Sequence, residues 1–437
     1  MSGPRRSSES ESTQRQNALI LSAWRPLLLL TVFAFLVLYD DWVFTPSCKI
    51  VPSSTGADPT GQFDVGESQN PDDLRVMIVA NLLLLGSEAG FFNLYFRDYY
   101  MSKFFRKSFD SLRPDMLLVL GDVSARGSEL TKTGWVSVLY QFHRVLGPFL
   151  QLPYHVVLGD RDVGQCSGLN TNSVHWIARN FPGLDSAGCG AFEISNVSFV
   201  SLNAVALLCG NNKLRFSVER VIETESIHMK MDLDGAKEGT GDYEEMGDDS
   251  EKIKIGFEGT STSFQWRKNV IESGSGPALL LHFPLHRWPT NNGCQEIDIS
   301  KKAANPWQQG SEALVNWRFT NTGPYELLHT VPPNATEYIF QALKPRIVFS
   351  AHTHAFCDHT HSDGTREVTV PAMTWKVRDD PGFIVATFQS DRNAISVSYC
   401  SLARESHVLI TYTSLLVLLL MPWLVANTNK LHFRCLR

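Results

Sequence analysis

Six side chains of types that can bind a metal follow apolar, β-type runs in this sequence. Asn81 comes shortly after Leu74-Arg75-Val76-Met77-Ile78-Val79, and Asp122 after Met116-Leu117-Leu118-Val119-Leu120-Gly121. Asp160 follows Tyr154-His155-Val156-Val157-Leu158-Gly159, and His282 follows Ala278-Leu279-Leu280-Leu281. His352 and His354 follow Arg346-Ile347-Val348-Phe349. Neutral imidazole nitrogen is a common metal ligand, and carboxylate and amide oxygens complete mixed N/O sites. A metal centre accounts for the five strand ends together, because its ligands must converge from rigid elements. Arg161 stands beside Asp160 and can hold a phosphate through two N–H groups. His286 is a possible proton donor in the same stretch as His282, though a satisfied surface histidine is the simpler reading. Cys357, His359 and His361 read as a loop with incidental histidines rather than a second ligand set.

The elements that must position these groups alternate. A helical pattern over Asp98 to Leu112 (Tyr99, Phe104, Phe105, Phe109, Leu112) lies between the first two β-type runs, and another over Leu130 to Val145 precedes the third. Phe192-Glu193-Ile194 and Val197 to Leu202 predict a hairpin about Ser195-Asn196. Glu337 to Leu343 predicts a helix feeding the strand before His352, and Glu367–Val370, Phe383–Phe388 and Ala394–Tyr399 predict closing strands. This order implies an α/β fold with functional loops at strand ends. Residues 223–254 are acidic and Gly-rich and read as a flexible insertion; their acidic run lacks the spacing of an EF-hand. No G-x-G-x-x-G, P-loop or G-x-S-x-G motif is present, so nucleotide binding and serine hydrolysis have no motif support.

With 437 residues, the chain has room for one large domain or two modest ones. Its formal charge of −6, from 39 basic and 45 acidic residues, gives no basic surplus for nucleic acid. Residues 1–17 read as a disordered tail and 18–39 as an apolar segment of membrane length. A cleaved signal peptide is the rival reading for 18–39, but Tyr39-Asp40-Asp41-Trp42 follows where a small-x-small site would be needed. Residues 45–73 read as a linker to a main domain over 74–405. Residues 408–426 form a second, uncharged span, and 427–437 a basic tail. Arg5, Arg6, Arg15 and Arg25 on one side, Asp40 and Asp41 on the other, and Lys430, Arg434 and Arg437 after the second span place both termini in the cytosol. The main domain is then expected in the lumen, where Asn196 and Asn334 are glycosylation acceptors. Seven cysteines (Cys48, Cys166, Cys189, Cys209, Cys294, Cys357, Cys400) would lie there, an odd number that leaves at least one unpaired.

The blocks Gly121-Asp122-Val123, Leu281-His282-Phe283-Pro284-Leu285-His286-Arg287 and Ser350-Ala351-His352-Thr353-His354 resemble those of the calcineurin-like metallophosphoesterases. Glu367 to Trp375 resembles the segment that follows the histidines in one membrane-anchored branch. That branch includes the phosphodiesterase that removes ethanolamine phosphate from GPI-anchor glycans and the Cdc-one/Ted-one-type proteins. The resemblance covers about Leu74 to Phe388. It implies a four-layer sandwich of two mixed β-sheets flanked by helices, here between two transmembrane helices, with a two-metal site at the strand ends. It assigns Asp122, Asp160, His282, His352, His354 and Asn81 as metal ligands, with Asp122, Arg161 and His282 in catalytic positions.

This chain departs from the family at its first block, where Asn81 and Leu83 replace an aspartate and a histidine, and at Arg161, which replaces a histidine. Asp122, Asp160, His282 and His352 keep one site of four ligands; the other retains Asp122, His354 and an amide oxygen. One divalent ion (Mn2+, Zn2+ or iron) is therefore expected to bind well and a second poorly. The resemblance implies a membrane-bound, lumenal, metal-dependent phosphodiesterase of the ER or Golgi. Its expected partners are GPI-anchored proteins or glycolipid phosphoesters, and its expected role is in their maturation and ER-to-Golgi transport. The alternative is a degenerate member that binds such cargo with little or no turnover.

Overall fold

A computed structural model describes residues 30–39, 41–52, 73–166, 168–209, 213–238, 276–288, 329–389 and 394–435. Twelve strands are formed among them. They are β1 (Ser47–Val51), β2 (Leu74–Val79), β3 (Met116–Leu120), β4 (Tyr154–Val157), β5 (Gly190–Ile194), β6 (Val197–Ser201), β7 (Ala278–Leu280), β8 (Ile347–Ser350), β9 (Cys357–Thr360), β10 (Arg366–Thr369), β11 (Gly382–Phe388) and β12 (Ile395–Ser401). They assemble into two six-stranded sheets, ordered β1-β12-β11-β2-β3-β4 and β5-β6-β7-β8-β10-β9. Both sheets are mixed. β2, β3 and β4 run parallel while β11 joins β2 antiparallel; β6, β7 and β8 run parallel while β5 and β9 are antiparallel at the edges.

The strand sequences are apolar at consecutive positions because both faces are covered. In β3, Met116, Leu118 and Leu120 point into the layer between the sheets, where they meet Phe199, Leu280, Ile347, Phe349 and Ile384. Leu117 and Val119 point the other way, into a core shared with Phe104, Phe105 and Phe142 of the helices Asp98–Leu112 and Lys132–Leu146. On the far face, Val200, Leu279 and Val348 pack with Leu214, Val218, Ile339 and Leu343 of the helices Lys213–Glu238 and Pro333–Leu343. The layers therefore run helix, sheet, sheet, helix, as expected.

Several elements depart from expectation. Residues 223–238 continue the helix Lys213–Glu238 instead of forming loop. Val218, Ile222 and Ser226 of its inner face are buried, and helix-forming Glu223, Glu225, Met229, Lys230 and Met231 stand among the residues around them. The helix before β8 begins at Pro333, whose fixed φ suits a first helical turn. Cys357 to Thr360 form edge strand β9, not a loop. Ser195 and Asn196 turn the β5–β6 hairpin at φ 50° and 61°, the left-handed values such a turn requires. Disulfides join Cys48 to Cys400 across β1 and β12 and Cys166 to Cys209; Cys357 is also disulfide-bonded, and Cys189 is free and buried.

The expected tail 1–17, most of the linker 45–73, the acidic run after residue 238 and Cys294 lie outside the described residues. Of the two expected spans, residues 30–39 are helical, and residues 408–426 fall within the helix Glu405–Cys435. Among the described residues, no helix is long and apolar enough to cross a membrane.

Candidate metal centre

The parallel strands deliver their following loops to one end of the two sheets, where α/β folds commonly place ligands. β2 leads to Asn81, β3 to Asp122, β4 to Asp160, β7 to His282 and β8 to His352. At these exits the backbone turns sharply, and φ is positive at Asn81 (53°), Leu83 (52°), Gly121 (53°), His352 (63°) and His354 (61°). Left-handed conformations at non-glycine residues cost energy and persist where the surroundings dictate them. Here Leu83 N–H donates to the Asp122 carbonyl at 3.1 Å, Ala351 N–H to the His282 carbonyl at 3.0 Å, and Ala372 N–H to the His354 carbonyl at 3.1 Å. Asn81 N–H donates to the Gly121 carbonyl. The loops thus continue sheet-like pairing past the strand ends and hold one another.

Asp160, His282 and His352 each offer a ligand atom, and these atoms lie within 4.8 Å of one another. Asp160 Oδ1 is 3.2 Å from His282 Nε2 and 3.3 Å from His352 Nδ1. Asp122 adjoins the group, with Oδ1 3.5 Å from the same His282 Nε2. Its Oδ1 also accepts the Arg161 backbone N–H at 3.0 Å, and its Oδ2 lies 3.6 Å from Arg161 Nε. Room for this convergence depends on glycine. A Cβ on Gly159 would overlap Asp122 Oδ1, and one on Gly121 would fall 2.8 Å from His282 Nδ1.

Charge at the site is unevenly shared. Burial pushes the Asp122 carboxyl well above its usual range, and Asp160 and Asp162 add to this. Burial also acts against ionised Asp160, but hydrogen bonds from His282 and His352 outweigh it and hold that carboxyl well below its usual range. Burial disfavours a charged His282 ring, yet Asp122 and Asp160 win and raise it to about 9. Burial lowers His352, and lowers His354 to about 3, with help from positive charge on His352 and Arg161.

These residues fit a divalent cation. His282 Nδ1 donates to the Leu120 carbonyl at 2.8 Å, so Nε2 is the atom turned toward Asp160 and Asp122, where it carries a proton or gives its lone pair to a metal ion. A lone pair and two carboxylate oxygens attract only through a positive centre between them, a proton or a metal ion. Fixing one ring nitrogen on a backbone carbonyl to orient the other is the usual arrangement for a metal-ligating histidine.

Asn81 and His354 are placed differently from the trio. Asn81 is buried, its Oδ1 3.4 Å from the Asp122 N–H and its Nδ2 without a partner. His354 Nδ1 is buried and likewise unpartnered. Leu83, also buried, fills its position with hydrocarbon. His286 stands apart: its ring packs on Trp288, and its backbone N–H donates to Thr336. Cys357, His359 and His361 belong to a structural cluster, with His361 Nε2 2.8 Å from Glu367 Oε2.

Sequence reasoning missed three supporting residues. Asp162 is fully buried and accepts N–H groups from Val123 (3.1 Å), Ser124 (2.8 Å) and Gly159 (3.0 Å), tying the Asp122 loop to the Asp160 loop. Its carboxylate reaches back to the N–H of Gly159, three residues earlier, and Gly159-Asp160-Arg161-Asp162 carries no local pattern that marks this bond. His329 places Nδ1 3.1 Å from His352 Nε2 and stacks on that ring, but no strand or helix pattern marks it in the sequence. Glu367 binds Leu285 in the loop after β7 and Ser350 at the end of β8, a role that neither its strand pattern nor its family-like segment marks.

No protein-family model matches the sequence. The chain is 26% identical to metallophosphoesterase 1 of Rattus norvegicus over 353 residues, covering 79% of this chain and 77% of that protein. It is 23% identical to metallophosphoesterase 1 of Danio rerio over 375 residues, covering 85% and 86%. A solved structure described as a dimetal phosphatase from Danio rerio overlays with a TM-score of 0.39 and 11% identity, covering 74% of this chain and 98% of that one; so loose an overlay carries no argument. The likeness to the named relatives, with two mixed sheets flanked by helices, supports the metallophosphoesterase superfamily for this chain.

Proposed function

We propose that the chain is a metal-dependent phosphoesterase whose ion is held by Asp160, His282 and His352, with Asp122 beside them. The carrying observation is the convergence of those three ligand atoms within 4.8 Å at the ends of strands from both sheets. A divalent ion bound there would polarise a phosphoryl oxygen and acidify a water molecule. The chain's own groups supply the rest. Asp160 and Asp122 set the negative charge of the pocket, and the Leu120 carbonyl keeps His282 Nε2 turned inward. Arg161, nearly half exposed and anchored near Asp122, is placed to take phosphate oxygens. As a permanently charged guanidinium it binds an anion better than it donates a proton. Mn2+, Zn2+ or iron suits a mixed imidazole–carboxylate set.

The finer reading is a phosphodiesterase for ethanolamine phosphate on GPI-anchor glycans, working in the ER or Golgi lumen and aiding transport of GPI-anchored proteins. The sequence resemblance of the histidine blocks supports it. The membrane attachment is supported by exposed apolar side chains on both terminal helices: Leu30, Phe33 and Leu38 on one, and Ile410, Leu416, Val417, Leu418 and Met421 on the other. The disulfides support an oxidising compartment in this reading. A second reading, a binding protein with slow or no turnover, is favoured by Asn81 and buried Leu83 at the first block.

Metal analysis of the purified full chain, together with hydrolysis of bis(p-nitrophenyl) phosphate, tests these readings. The enzyme reading expects about one tightly held ion per chain, lost in His352→Ala, and turnover abolished by the same change. Bound metal with no turnover on that or any GPI-glycan substrate selects the binding protein. No bound metal at all overturns the enzyme reading and also favours the binding protein.

A further inference from the structure

The helical stretch that follows the first site loop exposes large aromatic side chains. Phe91 is 80% exposed, Tyr95 64% and Tyr99 50%. They are spaced four residues apart, so they share one face. Phe91 and Tyr95 rings touch at 4.6 Å, and Lys103 lies 5.1 Å over the Tyr99 ring, extending the line by another turn. Exposed Arg106 and Arg144 border a cavity that also contacts Tyr99 and Lys103. The opposite face of the helix Asp98–Leu112 buries Met101, Phe104 and Phe105. A stripe graded from aromatic to basic is not explained by folding, and contiguous exposed apolar surface marks an interaction site.

We infer that Phe91, Tyr95, Tyr99, Lys103 and Arg106 form a docking face that lies on the phospholipid headgroup layer of a membrane. Amphipathic aromatic rings favour the boundary between hydrocarbon and water, and Lys and Arg beside them meet lipid phosphates. Continuity with the terminal helices selects this occupant over another protein. Arg97 pairs with Glu405, at the start of the helix Glu405–Cys435, at 2.7 Å, and the Tyr100 hydroxyl meets the Tyr412 hydroxyl at 2.8 Å. Phe44 stacks on Tyr100 at 4.9 Å, and Trp42 beside it is 78% exposed. At residues 97–100 the stripe therefore runs beside the points where both terminal helices leave the domain. It is also linked to the metal centre: Lys376 Nζ bridges Asp98 Oδ1 (2.9 Å) and the Leu83 carbonyl (2.8 Å). Docking would hold the site at a fixed height over the bilayer, as suits a phosphoester carried on a membrane-borne molecule.

This inference rests on the membrane attachment proposed above, and the experiment separates the two. Nitroxide labels are placed singly at Phe91→Cys, Tyr95→Cys, Leu418→Cys and Phe216→Cys in full chain carrying Cys435→Ser, reconstituted in phosphatidylcholine–phosphatidylserine vesicles. Leu418 is exposed on the C-terminal helix, and Phe216 is exposed on the helix packed against the other sheet. Oxygen and a water-soluble nickel chelate then report depth by relaxation of the label. The expected order places positions 91 and 95 between 418, deep in lipid, and 216, in water. Labels at 91 and 95 matching 216 while 418 lies in lipid would overturn the docking face and leave the attachment standing. A water-exposed label at 418 overturns the attachment and the docking face with it.

Discussion

Single atoms decide whether the strand ends can meet. Gly159 is the sharpest case, because any side chain there would occupy the space of Asp122 Oδ1. Gly159→Ala should displace Asp122 and lower metal affinity far more than its small volume suggests, with the fold retained by circular dichroism. Unchanged affinity would show that Asp122 takes no part in the site. Asp162 acts through hydrogen bonds. Burial raises its carboxyl to about 6, even though three backbone N–H groups favour the ionised form. Asp162→Asn keeps the shape but turns an amide N–H₂ toward a backbone donor. An unsatisfied buried donor costs roughly 1–3 kcal/mol, and relief from burying the charge offsets part of that, so the variant should lose less than this amount by denaturant titration at pH 7. Asn81 and Leu83 are a different kind of feature. Both sit in left-handed backbone that asparagine tolerates well and leucine poorly. The position of Leu83 is therefore dictated by its neighbours' hydrogen bonds.

At the scale of elements, one buried carboxylate joins the two histidine loops. Glu367 on β10 accepts the Leu285 N–H at 3.1 Å and the Ser350 hydroxyl at 2.6 Å, and lies 3.6 Å from Arg287 and 2.8 Å from His361. Leu285 is three residues after His282, and Ser350 two before His352. Burial opposes its charge, but Arg287 and His361 overcome that and hold the carboxyl at about 2, against an ordinary 4.5. A lowered carboxyl contributes stability that is complete above about 4.5 and lost as pH falls toward about 2. Glu367→Gln should therefore be less stable than the parent at pH 7, with the gap closing below about 4 in thermal melts. A gap constant with pH would show that the charge contributes nothing. The sequence displayed the strands on either side of this network, because runs buried on both faces read as continuous apolar blocks. It displayed the ligands, because a polar residue ending such a run stands out. Glu367, His361 and β9 were illegible for the opposite reason. Their polar residues satisfy one another across strands, a pairing without local spacing. The helix through 223–238 was misread because acidic composition resembles that of a loop, while its packed face is marked mainly by Leu214, Val218 and Ile222, which precede that stretch.

For the whole molecule, topology is what the fold makes testable. Strand β1 pairs with β12 along its length, and Cys48 is bonded to Cys400 at matched register, so the two terminal helices leave from neighbouring points. Tyr39 and Tyr412 touch edge to face at 6.4 Å, and the Tyr39 hydroxyl donates to Thr411. If both helices cross a membrane, as proposed above, everything between them lies on one side of it. If that side is the lumen, glycan should appear on the acceptors, and the structure ranks them. Asn196 is exposed at the tip of the β5–β6 hairpin. Asn334 is exposed in the first turn of its helix, but Thr336 of the same tripeptide is fully buried. The Thr336 hydroxyl is bound to the Val331 carbonyl and accepts the His286 N–H at 3.0 Å. Modification of Asn334 must therefore precede folding, whereas Asn196 stays available afterwards. In cells, Asn196→Gln should remove most of the endoglycosidase-sensitive mobility shift, and Asn334→Gln less of it. Protease added to sealed microsomes should spare residues 45–405. Cleavage of that segment from the outside, with no glycan on either asparagine, would place the domain in the cytosol and overturn the lumenal assignment.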